Sequence, residues 1–463
     1  MMRSLYSGVA GLKTHQTRMD VIGNNIANVN TTAYKSQSMT FSDLMYQTTQ
    51  AASGANAETG VGGVNARQIG LGAKTSAIKT AITGQGASQT TNDPFDIMIT
   101  GSNFFVVSNG TENFFTRDGS FYVDGAGNLC MTSTGYNVMG WLAEETEDKT
   151  LAIKQDIVKP LQIMADKYMT YPPEATSQAQ MSGIVDSFDS NISNDGKLVT
   201  LDFYDNLGFK YTAKFKITDY TEDTATPPNR TKLEAGHFNL TLTEIDDPKG
   251  VKIADDAMPT TSSWEFEFST VDGKLTSITP DGGAAITDGK LSLDLGTVTG
   301  TAIPSFPATI TVDCTAMSNL NNNGTSTTVA TRGSSTGGGS GRMLGEMSGI
   351  SIQKDGKIYA TYDNGQSRLL GQIATASFAN ASGLAKEGDN LYSSTQNSGD
   401  FDGIGVDITA GGGYMNTGVL EMSNVDLSAE FTEMITTQRG FQANSRIITV
   451  SDTLLEELTN LKR

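Results

Sequence analysis

The sequence has little of what most protein chemistry requires. Its 463 residues contain two histidines, His15 and His237, and two cysteines, Cys130 and Cys314. Neither histidine is followed by a second metal-ligating residue at two, three or four positions, so no zinc site is expected. His15 falls on the expected polar side of an N-terminal helix and His237 on an expected strand. The cysteines lie far apart, match no metal-ligand spacing and cannot build a disulfide framework. No G-x-S-x-G elbow, P-loop or H-E-x-x-H is present, and the "GGGSG" at 337–341 sits in a polar tract rather than between a strand and a helix. The acidic pairs Asp255–Asp256 and Glu144–Glu145 lack the D-x-D-x-D-G framework of a calcium loop. The chain therefore reads as no enzyme, with no catalytic residue, cofactor or metal expected.

Charge is scarce and one-sided. Charged residues make up 18% of the chain and leave a formal net charge of −19, with a pI near 4.5. Nucleic acid and anionic membrane surfaces, which need clustered Lys and Arg, are poor partners for such a surface. No run of eighteen apolar residues could span a bilayer. The opening "MMRSLYSGVAGLKTHQTRMD" has no continuous apolar core or cleavage site, so export is expected to proceed without a cleaved leader.

What is abundant is glycine, 50 residues of it, together with Ser, Thr, Asn and Ala. That composition favours short strands and turns over a helical bundle, in roughly three domains at about 150 residues each. The two ends differ from this body. Leu5, Val9, Leu12, Gln16, Met19, Ile22, Ile26 and Val29 are spaced by three or four residues, which predicts a helix from about 3 to 28. At the other end Leu427, Phe431, Met434, Gln438, Phe441, Ser445, Ile448, Asp452 and Leu455 form one stripe. Ile447, Val450, Leu454, Leu458 and Leu461 form a second, after an N-cap and a capping-box-like acid in "SNVD" at 423–426. Gly8, Gly11, Gly23 and Gly440 interrupt these patterns, each weakening an isolated helix by about 1 kcal/mol relative to Ala. Two stripes on one helix exceed what a single partner helix covers, which implies neighbours of the same kind.

Between the ends the period falls to two. "FFVVSNGTENFFTRDGSFYVDGAGNLCMTSTGYNVMGW" (104–141) and "ISIQKDGKIYATYDNGQSRLLGQIATASF" (350–378) read as strands joined by Asn-Gly and Asp-Gly turns. "GKLVTLDFYDNLGFKYTAKFKITDY" alternates around a turn at Asn206–Gly208. The expected fold is mainly β with terminal α-helices, arranged concentrically. Residues 1–30 and 424–463 form a coiled-coil-like inner helical domain, and 31–75 with 400–423 an irregular connector. Residues 76–145 and 345–399 form a β domain, and 146–344 an inserted outer β domain of one or two subdomains. Its edges are marked by the acidic "EETEDK" and by a low-complexity linker or long loop, "MSNLNNNGTSTTVATRGSSTGGGSG". Within "DVIGNNIANVNTTAYK", Asn24, Asn25, Asn28 and Asn30 are expected to form the helix-to-connector elbow. Asn28 or Asn30 would turn left-handed to end the helix, while Asn24 and Asn25 bond neighbouring backbone.

These ends also resemble a known family. "SGVAGLKTHQTRMDVIGNNIANVNTTAYK" is similar to the N-terminal signature, and "LEMSNVDLSAEFTEMITTQRGFQANSRIITVSDTLLEELTNL" (420–461) to the C-terminal signature, of the bacterial flagellar rod, hook and hook-associated axial proteins. "FFVVSNGTENFFTRDGSFYVDGAGNL" and the stretch from 350 to 399 resemble their shared β domain. Hook-type members carry a large insert between the halves of that domain, and rod-type members are described by the family pattern as much shorter. "GKLVTLDFYDNLGF" and "WEFEFSTVDGKLTSI" look like hook-type insert segments.

The resemblance implies a subunit of a curved tube that acts as a universal joint, transmitting motor torque to the filament. Its implied partners are other copies of itself, rod and hook–filament junction proteins, a hook cap and the type III export apparatus. The implied location is extracellular, on the flagellum. The assembly face would comprise Leu5, Val9, Leu12, Met19, Ile22, Ile26, Leu427, Phe431, Met434, Phe441, Ile448, Leu455 and Leu458. Cys130 and Cys314 do not match the Cys–Lys cross-link of some hook proteins, and none is carried over. The competing readings are a distal rod protein, whose polymer would be straight, and a secreted β-rich adhesin or glycan-binding enzyme, which would not polymerise.

Overall fold

A computed structural model describes residues 2–54, 60, 62–146, 151–221, 233–253, 259, 262–295 and 309–461. The fold is mainly β, bracketed by two long helices, Met2–Ala27 and Leu427–Asn460. The second helix starts at the end of the "SNVD" signal, where Asp426, the residue read as the capping-box acid, is itself the cap, its carboxylate accepting from the amides of Ser428 (2.9 Å) and Ala429 (3.3 Å). The two helices pack together.

The chain divides into two compact units, the first comprising Met1–Tyr168, Gly349–Ala360 and Ser367–Arg463. Its sheet is assembled from both halves of the sequence. Phe104–Ser108 pairs antiparallel with Asn113–Thr116 across the Asn109–Gly110 turn. Asn137–Glu145 pairs with Phe104–Ser108 and with Ser367–Ile373, so that Trp141 lies opposite Gln372. Behind these strands Phe104, Val106, Phe115, Trp141, Ala374 and Tyr392 form one core. The Trp141 indole N–H donates to the carbonyls of Asp156 (2.8 Å) and Ile404 (3.0 Å), as a buried tryptophan requires.

The second unit comprises Met169–Ser348 and Thr361–Gln366. Lys197–Tyr204, Lys210–Thr221, Leu233–Asp246, Ser263–Phe268 and Leu275–Pro280 form an antiparallel meander in sequence order. A four-stranded sheet runs Lys290–Asp294, Thr309–Asn319, Gln178–Val185, Val329–Arg332, its middle pair parallel. Alternation places Val199, Leu201 and Phe203 of the meander inward. They join one cluster with Met181, Leu293, Ile310 and Val312 of the other sheet, so the two sheets share one core.

Three expected boundaries differ. Residues 151–168 lie with the first unit rather than with an insert beginning at 146. Leu151–Ile153 and Lys159–Pro160 extend its sheet, and Leu161, Ile163 and Tyr168 are buried there. Acidic residues mark solvent, not a domain border; of "EETEDK", 147–149 lie outside the described residues. The tract expected as a low-complexity linker or long loop is ordered, with a strand and hydrogen-bonded turns within it. Val329–Arg332 pairs with Ala179–Ser182, and the Asp186 and Asp189 carboxylates accept from the amides of Asn322 (2.6 Å), Gly324 (2.8 Å) and Ser326 (2.8 Å). Small polar residues there serve turn hydrogen bonding rather than disorder. The expected irregular connector, finally, contains two antiparallel ladders: Gln37–Asp43 with Ala73–Thr80, and Tyr46–Gln50 with Arg67–Gly70. On its return leg Met415–Thr417 pairs with Ile97–Ile99 and Val419–Glu421 with Ser88–Thr90. Thr, Ser and Gln alternating with Met39 and Ile78 suit exposed strands as well as they suit loops.

Candidate assembly interface

Close approach of the two long helices depends on the glycines that weaken each helix alone. A Cβ on Gly8 would lie 3.3 Å from Ile448 Cγ1, on Gly11 2.6 Å from the Asn444 amide, and on Gly440 2.8 Å from the His15 ring. Three of the four helix-interrupting glycines are therefore packing sites. Gly23 alone faces open space. The crossing is otherwise made by Thr14, Val21 and Ile22 from the N-terminal helix and Thr437 and Ser451 from the C-terminal one, all buried. An Arg18–Glu433 ion pair closes one edge at 3.0 Å.

His15 does not lie on the polar side as expected but against Gly440, with the ring of Phe41 edge-on at 5.6 Å and its Nδ1 buried without a partner. Burial, helped by the Arg18 charge, holds its pKa below the usual histidine value.

Of the expected assembly residues, Ile22 is fully buried in the pair. Leu5, Leu12, Met19 and Ile26, with Met434, Phe441, Ile448 and Leu455, are half-buried. Val9, Leu427, Phe431 and Leu458 are exposed. The second stripe of the C-terminal helix stays open: Ile447 44%, Val450 57%, Leu454 45%, Leu458 49% and Leu461 84% exposed. The crossing thus uses part of the apolar surface of the helices and leaves a continuous apolar ridge uncovered.

At the inner end of the N-terminal helix the asparagines divide their work. Asn25 is completely buried and its amide is saturated. Its Nδ2 donates to Gln37 O (2.7 Å) and Glu430 Oε1 (2.8 Å), and its Oδ1 accepts from Gln37 N (2.9 Å) and the Tyr34 hydroxyl (3.3 Å). Asn24 and Asn28 bond each other at the helix end, Nδ2 to Oδ1 at 3.0 Å, and the Thr31 hydroxyl donates to Asn28. Asn30 is exposed. Neither Asn28 nor Asn30 turns left-handed; the residue that does is Ala33, at φ 53°. The helix unwinds through overlapping turns, and the chain reverses only where the Ala33 amide reaches Glu421 O, 2.8 Å away. Burial pushes the Glu430 carboxyl up from its usual value and, with the Glu430 charge, raises Tyr34.

Lys35, Arg117 and Glu421, which converge beneath this elbow, went unrecognised in the sequence. They are separated by 82 and 304 positions and carry no local pattern. Both cysteine thiols are buried and pushed above their usual value by that burial. His237 pairs with Glu265 at 2.9 Å on the meander. Among the described residues no group of three His, Cys, Asp or Glu could hold a metal.

Paired terminal helices with apolar surface left over mark an assembly-type structural protein. Family models agree: "Flagella basal body rod protein" matches residues 5–35, "Flagellar hook protein FlgE/F/G D1 domain" 98–185, and "Flagellar basal body rod FlgEFG protein C-terminal" 416–461. The Flagellar hook protein FlgE of Treponema pallidum is 37% identical and that of Borreliella burgdorferi 36%, each over 100% of both chains. The chain belongs to the flagellar hook protein family and is a structural, self-assembling subunit of the flagellum, in its hook. A Flagellar basal-body rod protein FlgG of Bacillus subtilis is 27% identical over 100% of both chains. Insert length alone therefore does not separate hook from rod, contrary to the family pattern; the higher identity to the hook proteins favours the hook.

Proposed function

We propose that the subunit polymerises through its paired terminal helices into a curved tube that serves as a universal joint between motor and filament. The observation that carries this is the ridge from Ile447 to Leu461, apolar and uncovered after the helices have paired. A repeated contact that does not close on itself builds an open helical tube rather than a ring. The half-buried Leu5, Leu12, Met19, Ile26, Met434, Phe441, Ile448 and Leu455, with exposed Val9, Leu427, Phe431 and Leu458, form the lateral seams in this reading. Polar helix residues line the channel. The β domains make outer layers whose Ser-, Thr-, Asn- and Gly-rich surfaces slide as the tube bends.

The same reading places the subunit outside the cell, delivered by the type III export apparatus and added beneath a hook cap, between rod and hook–filament junction proteins. It works by packing and not by catalysis, and inserts in no membrane; no described helix is long and apolar enough to cross one. Removing residues 1–28 or 426–463 is expected to leave folded β units that no longer polymerise, judged by negative stain and sedimentation. Tubes formed without the helices would overturn the reading, and straight, rigid tubes from the intact chain would favour a distal rod.

A further inference from the structure

Beneath the elbow, one carboxylate faces two cations out of contact with water. The side chains of Lys35, Arg117 and Glu421 are 0–1% exposed. Glu421 Oε1 accepts from Lys35 Nζ (2.7 Å) and from the Gly86 amide (2.9 Å), while its Oε2 accepts from Arg117 Nε (3.3 Å). Lys35 also donates to Gly84 O (2.7 Å), and Arg117 Nη1 to the carbonyls of Gly101 (2.7 Å) and Asn103 (2.6 Å). Arg117 Nη2 is buried without a hydrogen-bond partner. Lys35 lies eight residues beyond the end of the N-terminal helix, and Glu421 six before the start of the C-terminal one. Asn424 adds a second tie between the two legs: its Oδ1 accepts from Ser36 N (2.7 Å) and its Nδ2 donates to Ala81 O and Gly84 O.

We propose that Glu421 is a positioning residue for assembly: it clamps the roots of both terminal helices to the β unit in one pose, so that the pair meets a second copy preset. A buried ion cluster is a poor source of net stability, because the desolvation of its charges offsets their attraction; an apolar replacement of similar volume is often no less stable. Its effect is on alternatives. Any pose that draws the carboxylate away strands two buried cations, so slippage tolerated by an apolar contact is refused here. Arg117 Nη2 already lacks a hydrogen-bond partner in the observed pose. The elbow is then a weld rather than a hinge.

The proposal rests on the terminal helices being the assembly face, yet its first test does not. In full-length monomer, Lys35 is sealed by the clamp, so trypsin cleavage after Lys35 reports its opening. In E421Q this cleavage, followed by mass spectrometry, is expected to rise at least tenfold, while cleavage after exposed Lys210 in the other unit stays unchanged. An unchanged rate at Lys35 overturns the clamp whatever the polymer does. The second test replaces all three residues, K35M/R117M/E421M. It is expected to keep the far-UV circular dichroism of the folded wild type and to form tubes of mixed diameter and curvature. Uniform, wild-type tubes would overturn the positioning role, and so would failure of the triple variant to fold, since the cluster would then supply stability rather than pose. If instead helix truncation leaves polymerisation intact, the assembly reading falls while the trypsin result stands.

Discussion

Asn25 is the residue whose loss is most open to calculation, because every hydrogen-bonding position of its amide is filled. Asn25→Ala removes four hydrogen bonds and leaves Gln37 N, Gln37 O, the Tyr34 hydroxyl and Glu430 facing a small void. At about 1 kcal/mol per bond, and more for the charged partner, docking of the helix end should weaken by about 3–5 kcal/mol. Asn25→Asp is nearly the same shape but sets an oxygen where Nδ2 stands, against Gln37 O at 2.7 Å and the Glu430 carboxylate at 2.8 Å. Two unit charges at that separation repel by about 6 kcal/mol even at an effective dielectric constant of 20. The carboxyls can escape by sharing a proton, and Glu430 is already shifted upward by burial. The Asp variant should therefore be the worse of the two at pH 7 and recover as pH falls toward about 4.5.

A chain of two compact units does not unfold in one step, so a global melt would blur the effect. Native-state hydrogen exchange at Gln37 and through the last turn of the N-terminal helix isolates it. The expected loss of protection is about 10²- to 10⁴-fold for Asn25→Ala, given about 1.4 kcal/mol per factor of ten. Wild-type protection in Asn25→Asp at pH 7, or a penalty that does not change between pH 7 and 4.5, would refute the reasoning.

The helix-interrupting glycines should separate into two kinds. Gly23→Ala is expected to gain up to about 1 kcal/mol of helix stability, having nothing within 4 Å, whereas Gly440→Ala must displace the His15 ring and should lose helical signal in far-UV circular dichroism. For His15 the folded pKa lies below the unfolded 6.5, so the stability its neutral form contributes is complete above that value and lost as pH falls through the folded one. Hydrogen exchange along the helix crossing should accelerate in that window, and His15→Gln should flatten the profile. Glu430 runs the opposite way: its raised pKa makes its contribution complete below 4.5 and lost as pH rises through the folded value, so Glu430→Gln should remove a component of opposite sign. Leu454→Asp with Leu458→Asp should leave the monomer's circular dichroism unchanged and abolish polymerisation in negative stain. In the tube each leucine forgoes about 1 kcal/mol of further burial and each new carboxylate is desolvated.

Much of this architecture is written in local patterns, and those parts were legible. Apolar spacing of three and four located the N-terminal helix within a residue and the C-terminal one within three, since the stripe must repeat wherever a helix rests on a partner. Asp426 and the turn glycines Gly356 and Gly365 follow from chemistry inside a few residues, and they stand where it puts them. The misread parts depend on what lies across the fold. A glycine's low helix propensity is local, but Gly8, Gly11 and Gly440 are placed by a partner backbone that no window of sequence contains. Asn25 was recognisable as unusual in a helix end, but its four partners come from positions 34, 37 and 430. Glu421 is a lone acid after a leucine, silent until the fold brings Lys35 and Arg117 to it.

The two kinds of feature answer different demands on one subunit. Glycine-broken helices are marginal alone, so their order derives from tertiary contacts and is gained or lost as a unit. Contacts of that sort, made at the crossing largely by glycines and small side chains, would by themselves permit several nearly equivalent slides of one helix along the other. Saturated polar groups remove that freedom, because each alternative leaves a buried donor or charge without its partner. Asn25 acts so on the last turn of one helix, and Glu421 on the legs of both. Apolar stripes therefore account for the helices associating at all, and buried polar groups for their doing so in one register. A tube whose subunits must share a common geometry needs the second as much as the first.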